Sequence, residues 1–255
     1  MKNTFKGTPL VKLPEYNPLV GFLQGPFGKE VLEEYKQRVE KDYKNNEHLK
    51  ALNYNKELDI VQGSNSFAVP IINQILSQEG LNVATHADLE RILKTRALPL
   101  TGTYVDSAVV LRSEGEPNGH LARNLLNQLK QRDPKIKLPQ MINLKDLEVV
   151  LDQDSSHGLA FKLKDNAVPI YAPILNENGN FNSEDIDEQT GLPKKLTENG
   201  TRRLYTYNKG LCGLYLNRDS DVDSVRDILE YSNSAGRVVV VGGVAAQNFL
   251  KRNLP

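Results

Sequence analysis

Three short stretches of this chain gather the side chains best suited to hold a ligand. Gly63-Ser64-Asn65-Ser66 offers small polar residues whose amides and hydroxyls can face a phosphate or a carboxylate. Thr85-His86 comes next. The stretch from Arg112 to His120 then places a cation, the carboxylates of Glu114 and Glu116, and an imidazole within nine residues. The candidate ligand-binding residues are therefore Ser64, Asn65, Ser66, His86, Arg112, Glu114 and His120. Each has an ordinary role as well. Gly-Ser-Asn-Ser is common turn chemistry, Thr85 suits a helix cap, and Glu114 and Glu116 suit the positive end of a helix dipole. No catalytic residue is assigned, and the sequence leaves open whether the chain is an enzyme. His86 and His120 could join Glu114 or Glu116 around a metal, but no HExxH-type spacing supports that, so no metal site is assigned. Neither GxxxxGK[ST] nor GxGxxG occurs, so no nucleotide fingerprint names a cofactor.

Two further motifs lie near the end of the chain. Asp219 to Glu230 sets oxygen ligands at positions 1, 3, 5, 9 and 12, the spacing of an EF-hand calcium loop. Ser224 stands where the turn needs glycine, and Arg226 adds a positive charge. The simpler reading is a helix over 222–231, boxed by Ser220 and Asp223. Val238 to Asn248 runs Val-Val-Val-Val-Gly-Gly-Val-Ala-Ala-Gln-Asn. This resembles the adenosine-contacting segment of the actin-like ATPases, and most closely the GGVAxN of the tRNA threonylcarbamoyladenosine-synthesis family. The likeness covers about a dozen residues, without that superfamily's phosphate-binding hairpins upstream, and is read as local convergence on a strand–turn–helix.

The elements that must position these groups follow from spacing. Pro9, Pro14, Pro18 and Pro26 make the first 28 residues an extended arm, because proline fixes φ and lacks an amide donor. Val31, Leu32, Tyr35, Val39 and Tyr43 recur at helical intervals within an amphipathic helix over 29–52. Strands at 58–61, 81–84 and 104–111 then alternate with helices opening at Pro70, after the Thr85–Asp88 box, and at Pro117. Such alternation predicts an α/β fold, mixed α+β overall, with a parallel sheet of βα units in the middle of the chain. Ligands of such sheets bind beyond the carboxyl ends of the strands, where the three candidate loops would lie. A strand-rich C-terminal half follows, with strands at 147–151, 159–163, 168–174, 204–207, 211–216 and 237–241. The polar stretch 176–201 is too long for an ordinary connection and is expected to be a flexible or functional loop. The division is an arm and helix at 1–54, a βα-unit region at 55–137 and a strand-rich region at 138–255. The last two can also form one continuous domain.

Composition bounds the partners. Thirty-two basic residues balance thirty-two acidic ones, so the chain lacks the cationic surplus that drives phosphate-backbone binding. Local basic clusters at Arg123–Lys137 and Lys194–Arg203, the latter beside Tyr205 and Tyr207, keep nucleic acid as a minor alternative. The longest apolar run, Val238–Ala246, is about half the ~18 residues of a membrane span. Cys212 is the one cysteine, which rules out an intrachain disulfide. A soluble, cytoplasmic protein is expected, of unknown oligomeric state. It would bind a small anionic or nucleotide-like ligand at the strand-to-helix loops. The alternative is a non-catalytic module that engages a protein or nucleic acid.

Overall fold

The structure, a computed structural model, describes residues 19–242 together with two-residue strands at 4–5, 8–9 and 11–12. The described residues hold four α-helices: α1 (Gly25–Asp42), α2 (Ala68–Ser77), α3 (His86–Thr95) and α4 (Gly119–Arg132). None is long and apolar enough to cross a membrane. The GGVAAQN segment lies outside the described residues beyond Gly242.

The largest sheet has seven strands. Their spatial order is Ile170–Tyr171, Gln140–Asn143, Val105–Leu111, Leu211–Leu216, Val222–Arg226, Arg202–Thr206 and Gly179–Phe181. A second sheet pairs Leu19–Phe22 and Leu81–Val83 with the two sides of Val239–Gly242, all antiparallel. Leu147–Leu151 and Leu159–Leu163, both expected as strands, pair antiparallel as a separate hairpin. The main core packs α1, α2 and α4 against Val109, Leu111 and this hairpin.

The mixed α/β character stands, but the parallel βα sheet does not. Val105–Leu111 lies antiparallel to both of its neighbours, Gln140–Asn143 and Leu211–Leu216. Ile60–Gln62 closes a small antiparallel hairpin with Asn53–Asn55. The parallel ladder that is present joins Arg202–Thr206 to Val222–Arg226. The misreading has a physical cause. Val105–Leu111 is buried throughout and, apart from Asp106 and Ser107, apolar, so its sequence shows no apolar–polar alternation to separate an antiparallel strand from a parallel one. One of its two partners, Leu211–Leu216, lies about a hundred residues later, where local pattern says nothing about pairing.

Four local expectations also change. Helix α1 starts at Gly25, within the expected arm, because Pro26 occupies the first turn, where its missing N–H costs nothing. It ends at Asp42, short of 52, with Lys44 and Asn45 at positive φ just beyond. Helix α2 starts two residues before Pro70. Residues 222–226 form a strand instead of a helix: Val222 and Ser224 are buried between two strands, and pairing on both sides outweighs the capping signal. The 176–201 stretch is packed rather than loose. Gly179–Phe181 adds an edge strand, and Phe181 and Leu192 plug a core shared with Leu204 and Leu214. Two buried apolar residues anchor a segment whose mean composition is polar. Thr85 does cap α3 in a complete capping box with Asp88.

Candidate functional site

The candidate residues disperse into separate roles. Asn65 is fully buried and holds the start of α2: its Oδ1 accepts from the amides of Phe67 (3.1 Å) and Ala68 (2.7 Å). Its Nδ2 donates to the carbonyls of His48 and Glu230. Ser64 Oγ accepts weakly from the Asp106 amide (3.4 Å), while Ser66 Oγ is buried without a hydrogen-bond partner. Arg112 is buried with no carboxylate among its partners. It donates to the Leu175 carbonyl (3.0 and 2.9 Å) and to Ser224 Oγ (3.0 Å), leaving Nη1 unpartnered. Burial lowers Arg112 to about 10. Glu114 makes an exposed pair with Lys130, and His120 bonds Asp152 at 2.8 Å.

His86 and Ser107 look like the start of a nucleophilic pair, with Nδ1 to Oγ at 3.1 Å. Glu90 Oε1 stands 3.9 Å from the other ring nitrogen. Three facts argue against catalysis there. Both His86 and Ser107 are sealed from solvent. Burial, helped by the charge on Arg202, pushes His86 down to about 3, which removes it as a base near neutrality. Glu90 is already gripped by Arg202 at 2.6 Å through both oxygens. Cys212 is no better placed, since burial pushes its thiol up to about 11.

Chemistry-bearing groups instead converge on a basin of about 590 Å³, at the end of the strand Val222–Arg226. Arg226 lies at its floor. Its Nη1 donates to Asp106 Oδ1 at 2.9 Å, and the Asp106 side chain is fully buried. The guanidinium carbon stands 3.7 Å from the ring centre of Tyr215, 4.6 Å from Tyr104 and 5.1 Å from Tyr231. Tyr104 is fixed from below: its hydroxyl donates to the Ser64 carbonyl and accepts from the Asn233 amide. Gly236 is required there, because a Cβ would stand 2.6 Å from the Ser64 nitrogen and 2.7 Å from the Tyr104 hydroxyl.

The electrostatics follow from this packing. Burial alone would depress Arg226, but Asp106, Tyr215 and Tyr104 outweigh it and hold the guanidinium above its ordinary value. Burial raises Asp106 and Arg226 opposes the rise; Asp106 Oδ2 has no hydrogen-bond partner. Asp106 thus cancels the charge of Arg226. The walls carry Asp219, Asp223 and Asp227 against Arg218, so the basin is net acidic. Burial raises Asp223, against hydrogen bonds from the Val225 amide and from Tyr215. Ile228 and Tyr231 stand exposed on the rim at 53% and 44%, an apolar edge on a polar bowl.

Sequence reasoning missed this group. Asp106 and Tyr104 sit in what reads as a plain core strand, and Arg226 looked like a flaw in a calcium loop. The available signal was an aspartate inside an otherwise apolar strand, which demands a buried partner. No cluster of metal-ligating side chains occurs among the described residues. Compared with protein-family models, curated proteins and solved structures, the chain matches none.

Proposed function

We propose that the chain is a binding protein whose site is the tyrosine-lined basin above Arg226, and that it takes a small organic cation bearing a guanidinium or alkylammonium head. The observation that carries this reading is the neutralised floor beneath an acidic wall. A buried ion pair is weak evidence for stability, because desolvation offsets its attraction. As a device that fixes three tyrosine rings around an acidic bowl, the Asp106–Arg226 pair has a clearer use. Aromatic faces and carboxylates together favour cations, each ring contributing ~0.5–2 kcal/mol. The same walls oppose phosphates, which shifts the expected ligand away from the anionic or nucleotide-like class.

The chain has ten tyrosines and no tryptophan, so tyrosine emission reports directly on ring contacts. A ligand of about ten heavy atoms, at roughly 0.5 kcal/mol per atom, binds with a Kd on the order of 0.1–1 mM. Titration with agmatine and tetramethylammonium should change the emission saturably, whereas AMP and inorganic phosphate should not. The reverse order would show that the anionic reading was correct. The exposed Ile228 and Tyr231 favour a second form of the same chemistry, a lysine or arginine side chain presented by a partner protein. A basic peptide binding far more tightly than its free side-chain analogue would select that form.

A further inference from the structure

A second cleft, of about 220 Å³, lies between α3 and the segment 183–194, remote in sequence from the basin's residues. Its cover is tightly built. Asp187 Oδ1 accepts from the amides of Gln189 and Thr190 and from the Thr190 hydroxyl. Gly191, at φ +75°, lays its backbone on α3, where a Cβ would stand 2.6 Å from the His86 carbonyl carbon. The floor is Glu90, clamped at 2.6 Å by Arg202 through both oxygens. Behind the floor, fully buried His86 aims an unpartnered Nε2 at Glu90 Oε1 across 3.9 Å, too far for a hydrogen bond.

The lining carries both signs, Glu184, Asp187 and Glu188 beside Arg91, Lys94 and Lys194. Glu184 and Lys194 both line the cleft and are exposed, and neither has an ion-pair partner among the described residues, although the charge of Lys194 also reaches Asp187. Ala87 and Ile186 supply apolar wall between them. A free anion or a free cation would meet as much repulsion as attraction. A molecule carrying both charges a short distance apart would meet neither cost.

We propose that this cleft binds a small zwitterion, a free α-amino acid, with its ammonium on Glu184, its carboxylate on Lys194 and its side chain against Ala87 and Ile186. The site is independent of the basin. Its volume of about 220 Å³ accommodates a free amino acid of about leucine's size.

The test is calorimetric titration of the full chain with L-leucine and L-serine, beside ethylamine and propionate as single-charge controls. The expected result is saturable amino-acid binding, at least ~10-fold tighter than either control, weakened about 10-fold by Glu184→Gln and by Lys194→Met. Both positions are exposed, and circular dichroism confirms that each variant is folded. No binding of either amino acid at 10 mM-scale concentrations (about the weakest range calorimetry resolves) overturns the proposal. So does a control that binds as tightly as the amino acid, or either charge variant binding like the parent.

Discussion

Removing one partner of the Asp106–Arg226 pair tests whether the basin floor is built as described. The Asp106 side chain is fully enclosed and that of Arg226 is 10% exposed, with 2.9 Å between Nη1 and Oδ1. Breaking a buried pair from one side leaves an uncompensated charge and costs about 3–5 kcal/mol. Arg226→Met should fall in that range, because Asp106 already has one unpartnered oxygen and would lose its only ion-pair partner among the described residues. Asp106→Asn should cost less, about 2–3 kcal/mol, because Asp223 and the tyrosine faces still support the guanidinium. The double variant should be no worse than Arg226→Met, giving a coupling of about 2–3 kcal/mol. Urea denaturation followed by circular dichroism reads these values. With a slope of about 3 kcal/mol per molar, Arg226→Met lowers the midpoint by roughly 1–1.7 M. Two single variants that each cost under ~1 kcal/mol, or that simply add, would refute the argument.

Three further outcomes follow from the same geometry. His86 binds its proton near 6.5 when unfolded but only near about 3 when folded, so stability is full above 6.5 and falls as pH drops. Between pH 6.5 and 4.5 that slope is up to about 1.4 kcal/mol per unit for this one group, and His86→Gln should flatten it in urea titrations at stepped pH; an unchanged slope would mean His86 is not held neutral. Asn65→Ala removes the α2 cap and two buried donors, an expected loss of about 2–3 kcal/mol, while a loss below 1 would show water replacing it. Glu114→Gln breaks an exposed pair with Lys130, so its melting point and agmatine affinity should match the parent; a clear loss of binding would return the ligand site to the 112–120 loop.

The sequence was legible where structure is local and silent where it depends on distant pairing. The Thr85–Asp88 box and the strands 147–151 and 159–163 are set by residues within one element. The neighbours of Val105–Leu111 are not. A wholly buried strand carries no alternation to mark its faces, so its antiparallel partners could not be inferred. The site was hidden for the same reason. Asp106, Tyr215 and Arg226 come from three strands that only the sheet brings together. Ser64 and Asn65, two of the expected ligand groups, make hydrogen bonds within the fold near the basin. Ser64 supports Tyr104 through its carbonyl, and Asn65 ties α2 to the loop at Glu230. The acids at 219–227 have the spacing of a calcium loop in sequence, but a strand over 222–226 in place of the expected helix puts Arg226 beneath them.

The most direct test of the basin is NMR of the chain carrying ¹³C-labelled tyrosine rings, titrated with agmatine. The account requires that Tyr215 and Tyr231 shift most and Tyr104 less, since it is buried beneath them. Tyr171, Tyr205 and Tyr207, which do not line the basin, should stay in place. Saturable shifts confined to the first group would place an organic cation above Arg226. Shifts at Tyr205 and Tyr207, or none at any ring up to saturating agmatine, would contradict the basin as the site.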